Sequence, residues 1–331
     1  MRRREFVTLA AGAALTPSLL WPRAARAQQA EKSYRIGYLA LLPGEDTTLG
    51  KPFAQRLQEL GYSEGRNLKL EYRSAEGRPE RLAELVAELM RANPDVLVAG
   101  FGTLTAKATA AATRTIPIVF TSVGDPVGAG LVTSLAKPGA NLTGLSAQAS
   151  DVAAKRFQIM ADLVPGDKTI AVLSNPDTPF SASALRVVRS AAEQAHRPLA
   201  EFEARTPDQV PVGIAAAVKS GAAALLVLED PLTLGMARKI AELVAVARLP
   251  TIYGLRKFTE IGGLMSYGAD LSQISRRAAE YVDKVLRGSR PADLPVEQPT
   301  KFEFVINMKA ARELGLVLPS TIVALADEVI E

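Results

Sequence analysis

The chain has no cysteine and one histidine in 331 residues. Without cysteine there are no disulfides and no thiolate chemistry, so the fold rests on its apolar core, for which about 300 residues are ample. Lipid attachment at an N-terminal cysteine is excluded as well. With His196 alone, the usual zinc or copper clusters cannot be assembled, so neither a metal nor a cofactor is expected. His196 is also the one candidate base for a catalytic triad. It stands in EQAHRPL at the end of an expected helix, away from any strand's carboxyl end, and reads as a surface or capping residue. Phosphate loops are missing too. Gly100-Phe101-Gly102-Thr103 lacks the third glycine of the dinucleotide fingerprint, and no P-loop with its lysine is present.

Long apolar runs are equally scarce. Val7 to Leu20 spans about 14 residues, short of the roughly 20 that cross a bilayer. Arg2, Arg3 and Arg4 precede this run, and Ala25-Arg26-Ala27 follows it with the small-x-small pattern of a cleavage site. Residues 1–27 therefore read as a signal peptide, cleaved near Ala27, with the mature chain starting near Gln28 in a periplasm. Arg3-Arg4-Glu5-Phe6 resembles the twin-arginine export motif, and an arginine-rich Sec signal is the other reading. The leader holds five arginines against one glutamate. Out of 39 Lys+Arg and 35 Asp+Glu, the remainder keeps 34 of each sign. A neutral mature chain gives no electrostatic reason to bind nucleic acid or to insert into a membrane.

The remaining pattern alternates strands and helices. Arg35 to Leu42 is a buried-strand candidate, followed by a helix from about Gly50 to Leu60 and a strand from Asn67 to Tyr72. Arg78 to Arg91 is amphipathic, with Leu82, Leu85, Val86, Leu89 and Met90 at helical spacing. Asp95 to Ala99, Thr103 to Thr113 and Ile116 to Thr121 continue as strand, helix and strand. The order then recurs roughly 130 residues later: strands at Thr169–Ser174, Leu199–Glu203, Ala223–Leu228 and Pro250–Tyr253, helices at Ser181–Ala195, Pro207–Ser220 and Leu234–Ala247. A strand at Gly263–Ser266, a long helix at Leu271–Leu286, a strand at Phe302–Ile306 and a helix at Met308–Leu314 complete the pattern. Such alternation implies an α/β protein of two doubly wound parallel-sheet lobes joined by a hinge. The first lobe is expected over 33–146 plus about 268–292, the second over 147–267 plus about 297–331.

In open parallel sheets ligands meet the carboxyl ends of strands. The polar residues expected there are Thr103, Thr105, Ser122 and Asp125 in the first lobe, and Asn175, Asp230, Tyr253 and Tyr267 in the second. Hydroxyls and helix N-termini suit a carboxylate, Asp230 or Asp125 suits an ammonium, and tyrosines suit an apolar or aromatic face. No nucleophile-plus-base arrangement is recognisable among them, so the chain is not expected to be an enzyme. Glu229 and Asp230 are adjacent and would point to opposite faces of a strand.

Three stretches carry a family resemblance: TIPIVFTSVGDPVGAGLVTSLAKPGANLTGLS (Thr115 to Ser146), VLSNPDTP (Val172 to Pro179), and YGLRKFTEIGGLMSYGADLSQISRRAAEYVDKVLRGSRPADLPVEQPTKFEFVINMKAARELGL (Tyr253 to Leu316). They resemble the ABC-transporter substrate-binding protein family that includes the tryptophan/tyrosine-type binding proteins. The resemblance implies a type I periplasmic binding fold. It also implies a soluble, monomeric receptor that captures a small molecule, an amino acid or related carboxylate with aromatics favoured, and delivers it to an ABC permease in the inner membrane. Ser122, Asp125, Asn175 and Tyr267 fall within the matching motifs, whereas GFGTLTAKA departs from the family's commoner pattern. A ligand sensor docking to a receptor or kinase is the alternative, ahead of an enzyme on the same fold. Exchanging Arg3 and Arg4 for lysine tests the export route: under twin-arginine export, uncleaved precursor accumulates in the cytoplasm of pulse-labelled cells, whereas normal processing assigns the leader to Sec.

Overall fold

The computed structural model describes residues 32–42, 44, 49–147, 149–164 and 166–331; the expected signal segment lies outside the described residues. Two sheets organise the chain. The first draws on β1 (Tyr34–Ala40), β2 (Leu68–Ser74), β3 (Val96–Phe101), β4 (Ile118–Val123) and β5 (Leu142–Ser146), interleaved with α1 (Lys51–Glu59), α2 (Leu82–Arg91) and α3 (Thr103–Ala112). Its order is β2-β1-β3-β4-β5, parallel throughout. Burial of every residue of β3, β4 and β5 is what a parallel strand covered on both faces requires.

The chain then passes through α4 (Ala149–Leu163) into β6 (Ile170–Ser174), α5 (Pro179–Gln194), β7 (Leu199–Glu203), α6 (Gln209–Lys219) and β8 (Ala224–Val227). It continues with α7 (Pro231–Gly235), α8 (Ala237–Val246), β9 (Thr251–Tyr253), α9 (Lys257–Glu260) and β10 (Met265–Ala269). Next come α10 (Leu271–Leu286), β11 (Phe302–Asn307), α11 (Met308–Glu313), α12 (Ser320–Val323) and β12 (Glu328–Ile330). The second sheet runs β12-β11-β10-β9-β8-β6-β7. Here β11 is antiparallel to β10 and carries β12 parallel to itself, so an antiparallel flank is added to the parallel sheet the sequence implies.

β5 and α4 have no counterpart among the sequence-derived elements. β5 is five residues long with Gly144 at its centre, which blunts its strand signal. In α4, Val152, Ala153, Phe157 and Met160 are buried at helical spacing, but Arg156 occupies the same face and is fully buried. A cation at a core position breaks the apolar repeat on which the helix signal depends.

Three crossings link the sheets. β5 leads into α4, which packs on β8, β9 and β10 of the second sheet. After β10 the chain returns as α10, whose Asp270 cap accepts hydrogen bonds from Ser272 N (2.8 Å) and Gln273 N (3.1 Å). α10 lies on α1, β3, β4 and β5, burying Ile274, Ala278, Tyr281 and Val282 among Ile36, Tyr38, Phe53 and Val119. Glu297 then bridges to Leu145 before the chain enters β11. A second cluster fills the space between the second sheet and α4, α5 and α11. A third runs continuously through both halves, from Leu85 and Phe120 to Leu225 and Ile240.

Gly144 sits at φ +150°, where the β4–β5 register shifts, and a Cβ there would overlap the carbonyl oxygen of Phe120. Gly144→Ala is expected to lower the free energy of unfolding by about 1–3 kcal/mol, measured by urea denaturation.

Candidate functional site

A partly open cavity lies between the two sheets. The first half contributes Phe101, Gly102, Thr103, Leu104, Ser122 and Gly124, the second Thr178, Pro179, Phe180, Glu229, Asp230 and Leu255 among others. The β3–α3 turn supplies Phe101 to Leu104 because Gly102, at φ +94°, lets the chain reverse directly into the helix, and the end of β4 supplies Ser122 and Gly124. The Gly102 amide donates to Ser122 O at 3.0 Å, tying the turn to β4. No side chain caps α3, a ten-residue helix whose first two residues, Thr103 and Leu104, line the cavity. The Ser122 hydroxyl is buried on the same wall and has no hydrogen-bond partner among the described residues. Buried hydroxyls are nearly always satisfied, so this one is an available donor and acceptor.

The opposite wall carries the charge. Asp230 follows β8 and caps the short α7, accepting from Leu232 N at 2.6 Å. The Asn175 amide donates to both of its carboxylate oxygens, at 3.2 and 3.3 Å. Asp230 is 2% exposed, and among the described residues no Lys or Arg nitrogen forms a salt bridge with it. Burial pushes its carboxyl above the ordinary range, and the hydrogen bonds from Asn175 and Leu232 only partly oppose this. Beside it, Glu229 forms a bidentate ion pair with Arg156, whose Nε donates to Tyr267 O at 2.8 Å. The Glu229 carboxylate rests on Gly254, where a Cβ would fall within 2.7 Å of its atoms.

The remaining lining is apolar: Phe101, Leu104, Val152, Phe180, Leu255 and Leu271. Phe180 reaches across from α5 to cover Gly124, whose missing Cβ leaves room for the ring. The cavity can therefore hold a carboxylate at one wall, an ammonium at the other and an apolar group between. Among the described residues no group of three or more His, Asp or Glu could hold a metal ion, and no helix is long and apolar enough to cross a membrane.

Of the residues singled out from the sequence, Thr103, Ser122 and Asp230 line the cavity. Asn175 stands behind Asp230 as its hydrogen-bond donor. The others lie elsewhere. The Thr105 hydroxyl turns back to Gly100 O (2.9 Å) and Gly102 O (3.0 Å), bracing the turn. Asp125 accepts from Gly128 N at 2.8 Å within its own turn. Tyr253 is fully buried, its ring stacked on Phe258 at 4.2 Å between centroids, and burial drives its hydroxyl upward in pKa. Tyr267 packs beside Phe302 and Phe304, each 6.1 Å away, and offers the site only its carbonyl through Arg156. His196 follows α5 at φ +50°, exposed, its amide bonded to Glu193 O at 3.1 Å: a helix-end residue. The sequence reading missed Arg156 and Phe180. Phe180 follows the same strand-end loop that yielded Asn175 and was within reach of that rule; Lys155-Arg156 reads locally as a solvated pair and gives no signal.

Comparison with known proteins adds a consistent set of likenesses. Residues 46–330 match the family model described as ABC transporter substrate binding protein. A tyrosine-binding protein of Clostridioides difficile is 27% identical over 286 residues, 86% of this chain and 81% of its own. A Vibrio cholerae protein of known structure, described as a conserved domain protein, is 30% identical with a TM-score of 0.85, covering 90% of this chain and all of its own. A Streptococcus pneumoniae ABC domain in complex with L-Trp is 26% identical with a TM-score of 0.84, at the same coverage.

The raised Asp230 carboxyl has a consequence for stability. A group that holds its proton more tightly when folded than when unfolded stabilises the fold below its unfolded pKa, and that contribution is lost as pH rises through the folded value. Asp230→Asn, which keeps an oxygen for the α7 cap, should therefore raise the melting temperature of the ligand-free protein near neutral pH. The gain should shrink towards zero as pH falls below the carboxylate range; a differential-scanning series from pH 3 to 8 reads both.

Proposed function

The chain belongs to the ABC transporter substrate-binding protein family, and from that premise we propose that it captures a free α-amino acid with an aromatic side chain between its two lobes and hands it to an ABC permease. The observation that carries this reading is the buried Asp230 carboxylate, hydrogen-bonded yet without a cation, in the same cavity as the uncapped start of α3. The ammonium would bind Asp230, the carboxylate would take the first-turn amides of α3 and the Ser122 hydroxyl, and the ring would lie among Phe101, Leu104 and Phe180. The tyrosine-binding relative and the relative bound to L-Trp support the aromatic choice.

In this reading the protein works as an exported monomer, with residues 1–27 as its signal peptide. The lobes are 33–146 with about 268–292, and 147–267 with about 297–331, hinged at the crossings. It forms and breaks no bonds: the ionisable groups at the cavity are arranged to pair with charges, and none pairs a nucleophile with a base. The binding set is Thr103, Ser122 and Asp230, with Asn175 holding Asp230.

A thermal-shift screen of the purified protein against amino acids, aromatic acids and small carboxylates tests the proposal. A ligand at 100 times its dissociation constant adds about 2.7 kcal/mol of stability. L-Tyrosine or L-tryptophan is expected to stabilise, and Asp230→Ala is expected to weaken that ligand by about 2–5 kcal/mol in calorimetric titration. Stabilisation by non-amino acids only, or unchanged affinity in Asp230→Ala, would contradict the ammonium assignment.

A further inference from the structure

Three ionisable side chains line the cavity: Arg156, Glu229 and Asp230. Two of them are neighbouring carboxylates, and two like charges in a shared buried site cannot both stay ionised without compensation. Arg156 supplies that compensation to one of them. It is fully buried, its fork grips both oxygens of Glu229, and its Nε is fixed by Tyr267 O at 2.8 Å. Asp230, by contrast, has only neutral partners among the described residues: the Asn175 amide, the Leu232 and Thr233 amide N–H groups and the Thr178 hydroxyl. The local charges thus sum to one uncancelled carboxylate.

We propose that the Arg156–Glu229 pair sets the charge that the cavity presents, and thereby selects ligands that carry an ammonium over carboxylates that lack one. This rests on the amino-acid reading given above and deepens it. If Glu229 loses its charge, the Arg156 guanidinium offsets Asp230 instead, and the cavity favours an ammonium no longer. If both members lose their charge, Asp230 again stands alone and the preference returns. Arg156 and Glu229 are positioning residues in this account: they fix the electrostatic balance around the group that meets the ligand.

The experiment measures, by calorimetric titration of the purified protein, affinities for L-tyrosine and L-tryptophan and for their des-amino analogues, 3-(4-hydroxyphenyl)propanoate and indole-3-propanoate. The readout is the ratio of amino acid to des-amino affinity, which a purely structural role would leave in place. Glu229→Gln is expected to lower this ratio by about tenfold or more. Arg156→Gln with Glu229→Gln is expected to bring it back towards the wild-type ratio, even if both affinities fall. Arg156→Lys, which keeps the charge without the fork, covers the case in which Glu229→Gln does not fold, and should hold the ratio. An unchanged ratio in a folded Glu229→Gln, a double variant that fails to restore it, or a collapsed ratio in Arg156→Lys overturns the proposal alone. A wild-type protein that takes neither amino acid overturns the amino-acid reading and this proposal with it.

Discussion

A guanidinium buried without access to water has to find every partner inside the protein, and the position of Arg156 organises much of what surrounds it. Its fork needs Glu229, and Glu229 needs Gly254, because any side chain there would collide with the carboxylate. Gly254 in turn sits so close to Gly268 that a Cβ on the latter would overlap the Gly254 carbonyl oxygen. The Nε bond to Tyr267 O then fixes β10 against α4. One side chain thus ties the helix that enters the second sheet to the strand that leaves it, and both to the loop bearing Asp230. Buried ion pairs add little net stability because desolvation offsets their attraction. What this one supplies is a fixed geometry at the place where the chain changes sheets.

In the proposed reading, recognition is divided between the halves in a way that follows from their topology. Parallel strands deliver turns and helix starts to one edge, so the first sheet offers amides and a hydroxyl while the second offers a carboxylate with its neutral donors. A ligand bearing both charges has reason to hold the halves together, since each satisfies only one end of it. The Phe180 ring over Gly124 is a direct apolar contact between the halves beside that site.

Much of this plan could be read from the residues. Periodicity identified α2 and α10 because their apolar stripes are uninterrupted, and the buried strands because they are continuously apolar. The edge of the cavity was also within reach, since Thr103, Asn175 and Asp230 follow strands and Ser122 lies at the end of one. Failures arose where a local pattern was broken for a distant reason. α4 was invisible because Arg156 occupies a core position for the sake of Glu229, which is 73 residues away. A tyrosine at a strand end looks like a binding residue, but the Tyr253 ring is buried and stacked on Phe258, which no local pattern announces. Asp125 looked equivalent to Asp230 in sequence, and each accepts from an amide in its own turn; the difference is that Asp230 is buried and lines the cavity, whereas Asp125 is half-buried and stands outside it. Contacts of that kind depend on where the sheets bring segments together, and no window along the chain contains them.

The return of α10 to the first sheet also bears on how the molecule is made. Tyr62 bonds to Asp283 across 221 residues, and Arg56 to Glu280 across 224. The apolar face formed by Ile36, Tyr38 and Phe53 gains its cover from Ile274, Ala278 and Val282 only after most of the chain has been synthesised. Until then the amino-terminal half carries an open hydrophobic surface, and closing so long a loop is slow. Emerging from the ribosome, this half has to wait for residues near the far end of the chain, an interval in which holding by chaperones competes with self-association.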